Sequence, residues 1–288
     1  MSILPQLILN SIIAGAIYTL VTLGFNLIYS TTRFFNLAHG TMAVVGGYVL
    51  FAITRLWGLP LWLGIVAAVL GAGLLGVLID RIIYLPLRTR KASGMVLLVA
   101  SLGVFTAIQA IVAILFTSQF QTLTTGSSIS RVFDVMGGAI TETQVVILVT
   151  GLAIMLLLGL LLKHTKLGMA IKAVGDDEEV AKIVGIDTNR VIAIVFFIGS
   201  AIAGVAGLLV GFDTGLEPTM GLALLLKGIV AAIVGGVGSL YGGVLGAFLL
   251  GFVENFGIWQ LSGEWKDAIA FVLLILFLIF RPQGIMRK

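Results

Sequence analysis

Nine long apolar runs, separated by short polar breaks, constrain the fold of this chain more than any other feature. They cover residues 4–29, 37–51, 61–84, 95–116, 145–162, 191–212, 222–237, 244–256 and 268–280. One membrane helix needs about 20 mostly apolar residues, and 59% of the 288 residues are hydrophobic whereas 10% are charged. The runs are continuous and do not alternate, which argues against both a membrane β-barrel and a soluble enzyme. The sequence therefore predicts an all-α polytopic integral membrane protein, with residues 1–288 forming a single domain.

Basic residues in the breaks predict which loops face the cytoplasm. Three clusters stand out: Arg81, Arg88, Arg90 and Lys91; Lys163, Lys166, Lys172, Lys182 and Arg190; and Arg281, Arg287 and Lys288. The positive-inside rule places all three in the cytoplasm. The Ser- and Thr-rich loop 117–143 and the acidic connection 213–218 are then outside. Because each crossing changes the side of the membrane, these loop positions predict nine transmembrane helices with an external N-terminus. The count is eight if the short run 222–237 is re-entrant or broken.

Motifs of catalysis and cofactor binding are missing from the sequence. There is no cysteine, so no thiolate metal site or disulfide can form. There is no phosphate-binding Gly-x-x-x-x-Gly-Lys-Ser/Thr, and the Gly-x-Gly-x-x-Gly string at 71–76 lies inside an apolar run without a preceding strand. His39 and His164 fall in different layers, and no nucleophile–base pair is visible. We therefore expect no catalytic residue, no bound metal or cofactor, and no nucleic-acid partner.

The cytoplasmic loop 163–190 is too polar to cross the membrane, yet it has the pattern of a capped helix. Asp176 followed by Glu179 resembles a capping box, and Gly185 stands where a helix would end. Glu178 and Lys182 are four residues apart, a spacing that favours an ion pair. One face would carry Val180, Ile183 and Val184. The helix either packs against its own membrane domain or docks a soluble partner.

Three motifs and the loop resemble one family, the LivH-type permeases of branched-chain amino acid ABC transporters. The first motif comprises Gly24-Phe25-Asn26-Leu27-Ile28 and Phe35-Asn36-Leu37-Ala38-His39-Gly40. The second comprises Lys227, the stretch 231–239, Gly242 and Gly243, and the third is Arg281-Pro282-Gln283-Gly284-Ile285. In the loop, Gly168, Ala173, Gly175, Ala181 and Gly185-Ile186 resemble the family's ATPase-coupling segment. The resemblance extends over nearly the whole chain.

The resemblance implies a multi-pass permease of the bacterial inner membrane that moves leucine, isoleucine, valine or similar small neutral solutes. Its partners would be a second homologous permease, two cytoplasmic ATPases, an external solute-binding protein and membrane lipid. ATP and Mg would be used by the ATPases only. The implied coupling residues are Gly168, Ala173, Gly175, Asp176, Glu179, Val180, Ala181, Ile183 and Gly185. Two alternatives remain open: a permease of the same superfamily for urea, short amides or other neutral amino acids, and a stand-alone secondary transporter.

Polar residues inside the apolar runs are candidates for the translocation path, because charge in a bilayer is costly. Lys227 and Glu254 flank the turn 238–243 and are expected to pair on the external side, either to fix two helices or to act in solute passage. Asn36, His39 and Gly40 lie where a broken helix could present backbone groups to a zwitterion. Gly235 and Gly236 complete the candidate set. With so few charged side chains in the runs, we expect the path to bind solute weakly and the external binding protein to supply selectivity.

Overall fold

The computed structural model describes residues 3–123, 131–135 and 137–286, and these are almost entirely helical. The helices are α1 (Ile3–Thr32), α2 (His39–Phe51), α3 (Leu61–Ile79), α4 (Leu85–Thr89), α5 (Gly94–Phe116), α6 (Glu142–His164), α7 (Lys166–Asp176), α8 (Glu178–Ile183), α9 (Thr188–Asp213), α10 (Met220–Gly235), α11 (Leu240–Gln260) and α12 (Lys266–Phe280). The strands β1 (Val132–Val135) and β2 (Gly138–Thr141) form an antiparallel hairpin. The predicted all-α class is confirmed, with this hairpin as a small addition in the outer loop.

Each apolar run contains one helix, but the helices differ in length. Among the described residues, six are long and apolar enough to cross a membrane: α1, the continuous Leu61–Thr89 helix that contains α3 and α4, α5, α6, α9 and α11. Helices α10 and α12 have only 16 and 15 residues, and α2 has 13 residues and continues through a π-helical turn, Ala52–Leu56. At about 1.5 Å per residue they are shorter than the ~30 Å hydrocarbon core. A polytopic membrane protein is confirmed, and the count of eight or nine crossings stays a prediction.

Hydrogen bonds between distant segments show which loops share a side of the bundle. The Gln6 side chain, near the start of α1, bonds the backbone of Ala139 in the hairpin at 2.8 and 3.1 Å. Gln121 and Leu216 exchange backbone bonds of 3.0 and 2.8 Å, joining two loops that the sequence places outside. The start of α1 therefore lies on the same side of the bundle as the two loops that the sequence predicts to be external. We call this the outer side and the opposite side the inner side, and their orientation in the membrane stays a prediction. In the third basic cluster, Arg287 and Lys288 lie outside the described residues.

Two segments share one plan and run in opposite directions. In the first, the long α1 ends on the inner side, residues 33–38 form a non-helical link, and the short α2 follows. In the second, the long α9 ends on the outer side, residues 214–219 form a link of equal length, and the short α10 follows. The second residues of the two short helices, Gly40 and Gly221, lie against each other. The middle of the bundle is thus built where two interrupted helices meet.

Small residues allow these helices to approach closely, because lipid provides no hydrophobic drive between helices. A stripe of small residues at every fourth position, Gly199, Ala203, Gly207 and Gly211, is buried along α9. Gly199 lies against Gly24 of α1, and Gly207 lies against the backbone of Ala43 in α2, where a Cβ atom would clash. The stripe is therefore a helix-packing surface of α9.

Candidate functional site

The outer half of the bundle holds a buried cluster of charges around Glu254. The Lys227 ammonium on α10 pairs with the Glu254 carboxylate on α11, and it also lies 2.8 Å from the Asp267 carboxylate on α12. The Tyr18 hydroxyl on α1 donates to Glu254 at 2.6 Å. Lys266 approaches the same carboxylate at 3.9 Å. Glu254 is 0% exposed and Lys227 is 7% exposed, so protein partners replace water around this pair, whereas the Asp267 side chain at the edge of the cluster is 71% exposed.

The pairing of Lys227 with Glu254, predicted from their distances to the turn 238–243, is confirmed. The sequence did not indicate Tyr18 or Asp267, which lie on α1 and α12. Helix α1 and the consecutive helices α10, α11 and α12 therefore meet at one cluster of charged side chains. Because these contacts join α10 and α11 to each other and to α1 and α12, the arrangement favours the interpretation that the pair fixes the helices.

A cavity of about 330 Å³ opens beside this cluster on the outer side. It is lined by Asn10, Ile13, Ala14, Ile17, Tyr18, Gln144, Val210, Asp213, Thr214, Leu224, Asn255 and Lys266. Its walls combine aliphatic side chains with one carboxylate, Asp213, and one ammonium, Lys266. Asp213 accepts a hydrogen bond of 3.3 Å from Gln144. Such a surface can contact an aliphatic zwitterion at both charges. Sequence reasoning missed it because six different helices contribute to its lining.

Asn36 lies in the link before α2, His39 and Gly40 are the first two residues of α2, and all three are buried. The Asn36 side-chain oxygen accepts from the Ala38 amide at 3.1 Å and from the Tyr84 hydroxyl at 2.8 Å. His39 places a ring nitrogen 3.2 Å from the Val21 carbonyl, in the middle of α1. A helix interrupted inside the bundle is therefore present, as predicted. The bonds of Asn36 and of His39 Nε2 go to the protein itself, which favours a packing role for these residues, although the buried His39 Nδ1 has no hydrogen-bond partner among the described residues.

Ser101 of α5 fixes the same link from its other side. Its hydroxyl accepts from the Leu37 amide at 3.0 Å and lies 3.4 Å from the Phe35 carbonyl. Ser101 is 0% exposed. Ser101 thus supplies hydrogen-bond partners to backbone groups of the link that would be paired within a helix. An irregular segment at membrane depth requires such partners.

Gly235 and Gly236 lie at the inner end of α10, where the three sequence motifs converge. Gly235 lies against Gly242 of α11. The C-terminal segment crosses this junction, with the Ile285 amide donating to Val234 and the Met286 amide donating to Gly235 at 2.9 and 3.0 Å. The structure therefore places Gly235 and Gly236 in a close helix junction.

Asn26 of the first motif completes the junction. Its side chain accepts from the Gly238 amide at 3.1 Å and donates to the Ser239 carbonyl at 3.0 Å. One asparagine thereby holds the turn between α10 and α11 against α1. The spacing of the motifs along the chain gave no sign of this contact.

A second buried ion pair, missed at the level of sequence, lies near the inner end of the helix that contains α3. Arg88 lies 2.7 Å from Asp80, whose side chain is 0% exposed. Asp80 begins a π-helical turn, Asp80–Tyr84, which also carries the tyrosine that bonds Asn36, and Arg88 follows in α4. These residues stabilise the inner side of the link before α2.

The cytoplasmic loop forms two helices, α7 and α8, and the predicted cap is wrong by one residue. Asp176 is the last residue of α7 and does not begin the next helix. The next residue, Asp177, has an extended backbone conformation and separates the two helices. Its carboxylate accepts hydrogen bonds from the amides of Glu179 and Val180 at 2.9 and 3.1 Å. The α7 pattern continues through Asp176, so the first residue free to adopt the non-helical cap conformation is Asp177.

Helix α8 ends and pairs its charges as the sequence predicts. Gly185 has φ 88°, and its amide donates to the backbone carbonyl of Lys182 at 3.0 Å. The Ile186 amide donates to the backbone carbonyl of Ala181, also at 3.0 Å. This is the Schellman arrangement. Lys182 lies 2.8 Å from Glu178. Partial burial alone would raise the pKa of Glu178, but the hydrogen bond and charge of Lys182 outweigh it and hold that pKa below its usual range.

The apolar face of α8 points away from the rest of the protein. Val180, Ile183 and Val184 are 53%, 83% and 68% exposed, whereas Ala181 on the opposite side is buried. Helix α7 lies underneath, with Gly168 against the end of α6 and with the Gly175 carbonyl accepting from the Arg33 guanidinium. Ala173 is partly buried within α7. The loop is therefore anchored by α7 and presents α8.

Comparison with known proteins decides the family. The family described as "Branched-chain amino acid transport system / permease component" matches residues 7–278. The chain belongs to this family. The high-affinity branched-chain amino acid transport system permease protein BraD of Pseudomonas aeruginosa is 32% identical over 98% of the chain and 95% of its own length. The corresponding permease protein LivH of Escherichia coli is 33% identical over the same shares.

A solved structure supports the fold of this permease independently of sequence. PsaBC from Streptococcus pneumoniae, in complex with a Fab, matches with a TM-score of 0.53 and 14% identity. The match covers 98% of this chain and 93% of that one. The family resemblance and the multi-pass membrane location expected from the sequence are confirmed. The relatives are transport subunits, in agreement with a non-enzymatic role.

Proposed function

We propose that this permease is the membrane subunit of an ATP-binding cassette importer for leucine, isoleucine, valine or closely similar neutral solutes. The observation that carries the proposal is identity of 32–33% across 98% of the chain to permeases named for branched-chain amino acids. The outer cavity supports it, because aliphatic walls and a single pair of opposite charges match a small apolar zwitterion. The protein would function in the bacterial inner membrane.

Two features of this chain indicate which partners it needs: an exposed helix face and the lack of a nucleotide-binding motif in its sequence. It presents an apolar helix face at the cytoplasmic side, and its sequence has no phosphate-binding motif. Two ATPase subunits would dock on α8 and its counterpart in a second homologous permease, and they alone would bind ATP and Mg. Closure of the ATPases would move α7 and α8, and solute would pass between the two permeases.

The solute path would bind its cargo weakly. The outer cavity offers one carboxylate, which is already hydrogen-bonded to Gln144, and one ammonium. A tight site for a zwitterion needs several charge-assisted hydrogen bonds at each end. An external binding protein would therefore supply selectivity, and the permease would accept and release what that protein delivers.

Transport in proteoliposomes tests the function directly. The permease pair would be reconstituted with its ATPases, and labelled leucine uptake would be measured with external binding protein and internal ATP. We expect uptake that requires ATP and is reduced by excess isoleucine and valine but not by urea. Leucine uptake of equal rate without the ATPases would instead identify a stand-alone transporter, and competition by urea would assign the chain to a different substrate class.

Calorimetry on the same complex without the binding protein tests weak binding. Leucine, isoleucine, valine and urea should each bind no tighter than the millimolar range, which corresponds to about −4 kcal/mol. A micromolar site selective for one side chain would show that the membrane subunits perform the recognition themselves.

A further inference from the structure

Two cavities lie between α1, α6 and α11, one at the inner surface and one nearer the middle of the bundle. The inner cavity has a volume of about 410 Å³ and the deeper cavity about 70 Å³. Helix α6 lines the inner cavity with Gly159 and the deeper cavity with Gly151, while α11 contributes Tyr241 and Phe248 respectively. The same three helices border both cavities, which share no lining residue, and the two together are called the cleft.

Small residues of α6 border the cleft. A Cβ atom added to Gly159 would be in ordinary van der Waals contact with Leu240 and Tyr241 at 3.8 Å, so a larger side chain there would reach into the cavity that Gly159 lines. From Gly151 to Lys163, at the inner rim, there are 12 residues of continuous helix. This corresponds to about 18 Å, similar to one leaflet of a hydrocarbon core ~30 Å thick. The cleft is therefore as long as an acyl chain lying in the inner leaflet.

The inner rim is positively charged. Lys163 at the end of α6 and Lys172 on α7 line the cavity, and no acidic residue lines it. Neither lysine forms an ion pair among the residues that the structure describes. Tyr241 is 59% exposed beside them, at the depth where amphipathic rings sit at a membrane interface. The inner cavity thus joins two unpaired ammonium groups to an apolar wall.

We propose that this cleft binds an anionic phospholipid of the cytoplasmic leaflet, with its phosphate between Lys163 and Lys172 and one acyl chain along α6 toward Gly151. Charge selects the anionic headgroup, because two ammonium groups face the site without a carboxylate. The apolar extension toward Gly151 selects a lipid over a soluble anion. The headgroup would lie between α7 and the α10–α11 turn, and so would join the cytoplasmic loop to the membrane domain. The inference does not depend on the transported solute.

Native mass spectrometry of the purified full-length protein tests this inference. The protein in detergent would be titrated with dioleoylphosphatidylglycerol or dioleoylphosphatidylcholine, and bound lipid would be counted. We expect preferential retention of phosphatidylglycerol. In a Lys163→Gln/Lys172→Gln variant, its affinity should fall about thirtyfold, since each lysine near an anionic headgroup contributes about fivefold. Lys166→Gln, an exposed change outside the cavity lining, is the matched control and should bind like the wild type.

A second variant tests the acyl part of the site without changing charge. Gly159→Leu should fill the cleft and reduce retention of phosphatidylglycerol, whereas Gly103→Leu, on an open face of α5, should not. Equal retention of both lipids by the wild type would overturn the inference. Unchanged phosphatidylglycerol binding in the double lysine variant would do the same, as would an equal loss in Lys166→Gln. An occupant other than lipid, such as the second permease, would produce these negative results.

Discussion

The outer charge cluster places charged side chains inside the membrane bundle, and the cytoplasmic helix α8 places apolar side chains at an aqueous surface. Both arrangements are unfavourable unless the side chains have partners, and the two regions differ in where those partners are. Lys227 and Glu254 are charges within the membrane bundle, and every one of their charged groups has a partner inside this chain. Val180, Ile183 and Val184 are aliphatic residues at an aqueous surface, and they remain mostly exposed. The buried charges are paired within the fold, whereas the exposed apolar face of α8 would be covered only by another protein.

This difference separates residues that build the permease from residues that connect it to partners. Loss of an internal partner should change stability, because the remaining charge stays buried. Loss of an exposed apolar contact should change assembly and leave the fold intact, because no contact within the chain is lost. Variants in the two regions should therefore fail in different measurements.

The largest expected effect comes from breaking the outer cluster. Lys227→Met should destabilise the protein by about 3–5 kcal/mol, because the buried Glu254 carboxylate loses its close ammonium partner. Glu254→Gln should cost less, because Lys227 keeps its ion pair with Asp267. The double variant should be less harmful than the sum. Thermal unfolding in detergent and the amount of inserted protein measure this. Lys266→Gln is the control, since Lys266 lies 3.9 Å from Glu254 and its side chain is 37% exposed. Strictly additive losses would contradict the pairing.

A smaller effect is expected where the loop meets α1. Arg33 has φ 55°, a conformation that suits glycine, and its guanidinium donates to the Gly175 carbonyl of α7. Arg33→Gly should therefore keep the fold and remove the contact, so that uptake falls severalfold while the ATPases still co-purify. Lys91→Gly matches it, because Lys91 also has φ 55° and is exposed. Equal uptake in both variants would show that the contact between Arg33 and α7 does not couple movement of the loop to transport.

The smallest effect distinguishes the two aspartates at the break between α7 and α8. Asp177→Ala removes the side chain that accepts from the amides of Glu179 and Val180, at a cost of about 1 kcal/mol to the start of α8. Hydrogen exchange of the α8 amides should become about fivefold faster. Asp176→Ala should leave exchange unchanged. The reverse result would restore the cap that the sequence pattern favoured.

Sequence patterns predicted the helices and the ion pair because both depend on local rules. Long apolar runs specify membrane helices, and the positions of Lys227 and Glu254 relative to one turn brought them together. The pattern could not find Tyr18 or Asp267, since their contacts depend on how four helices pack. It placed the α8 cap at Asp176 because two adjacent aspartates both fit a cap. The outer cavity and the lipid cleft combine residues from several helices and have no local signature.

The central claim, that α8 is the docking surface for the ATPases, is tested most directly by co-purification. Val180→Asp and Ile183→Asp place a charge in the proposed apolar contact, where an unpaired charge is strongly unfavourable. We predict that both variants insert normally but lose the ATPases and uptake, whereas Ile183→Leu keeps both. Wild-type recovery of the ATPases with both aspartate variants would contradict the account and assign coupling to another surface.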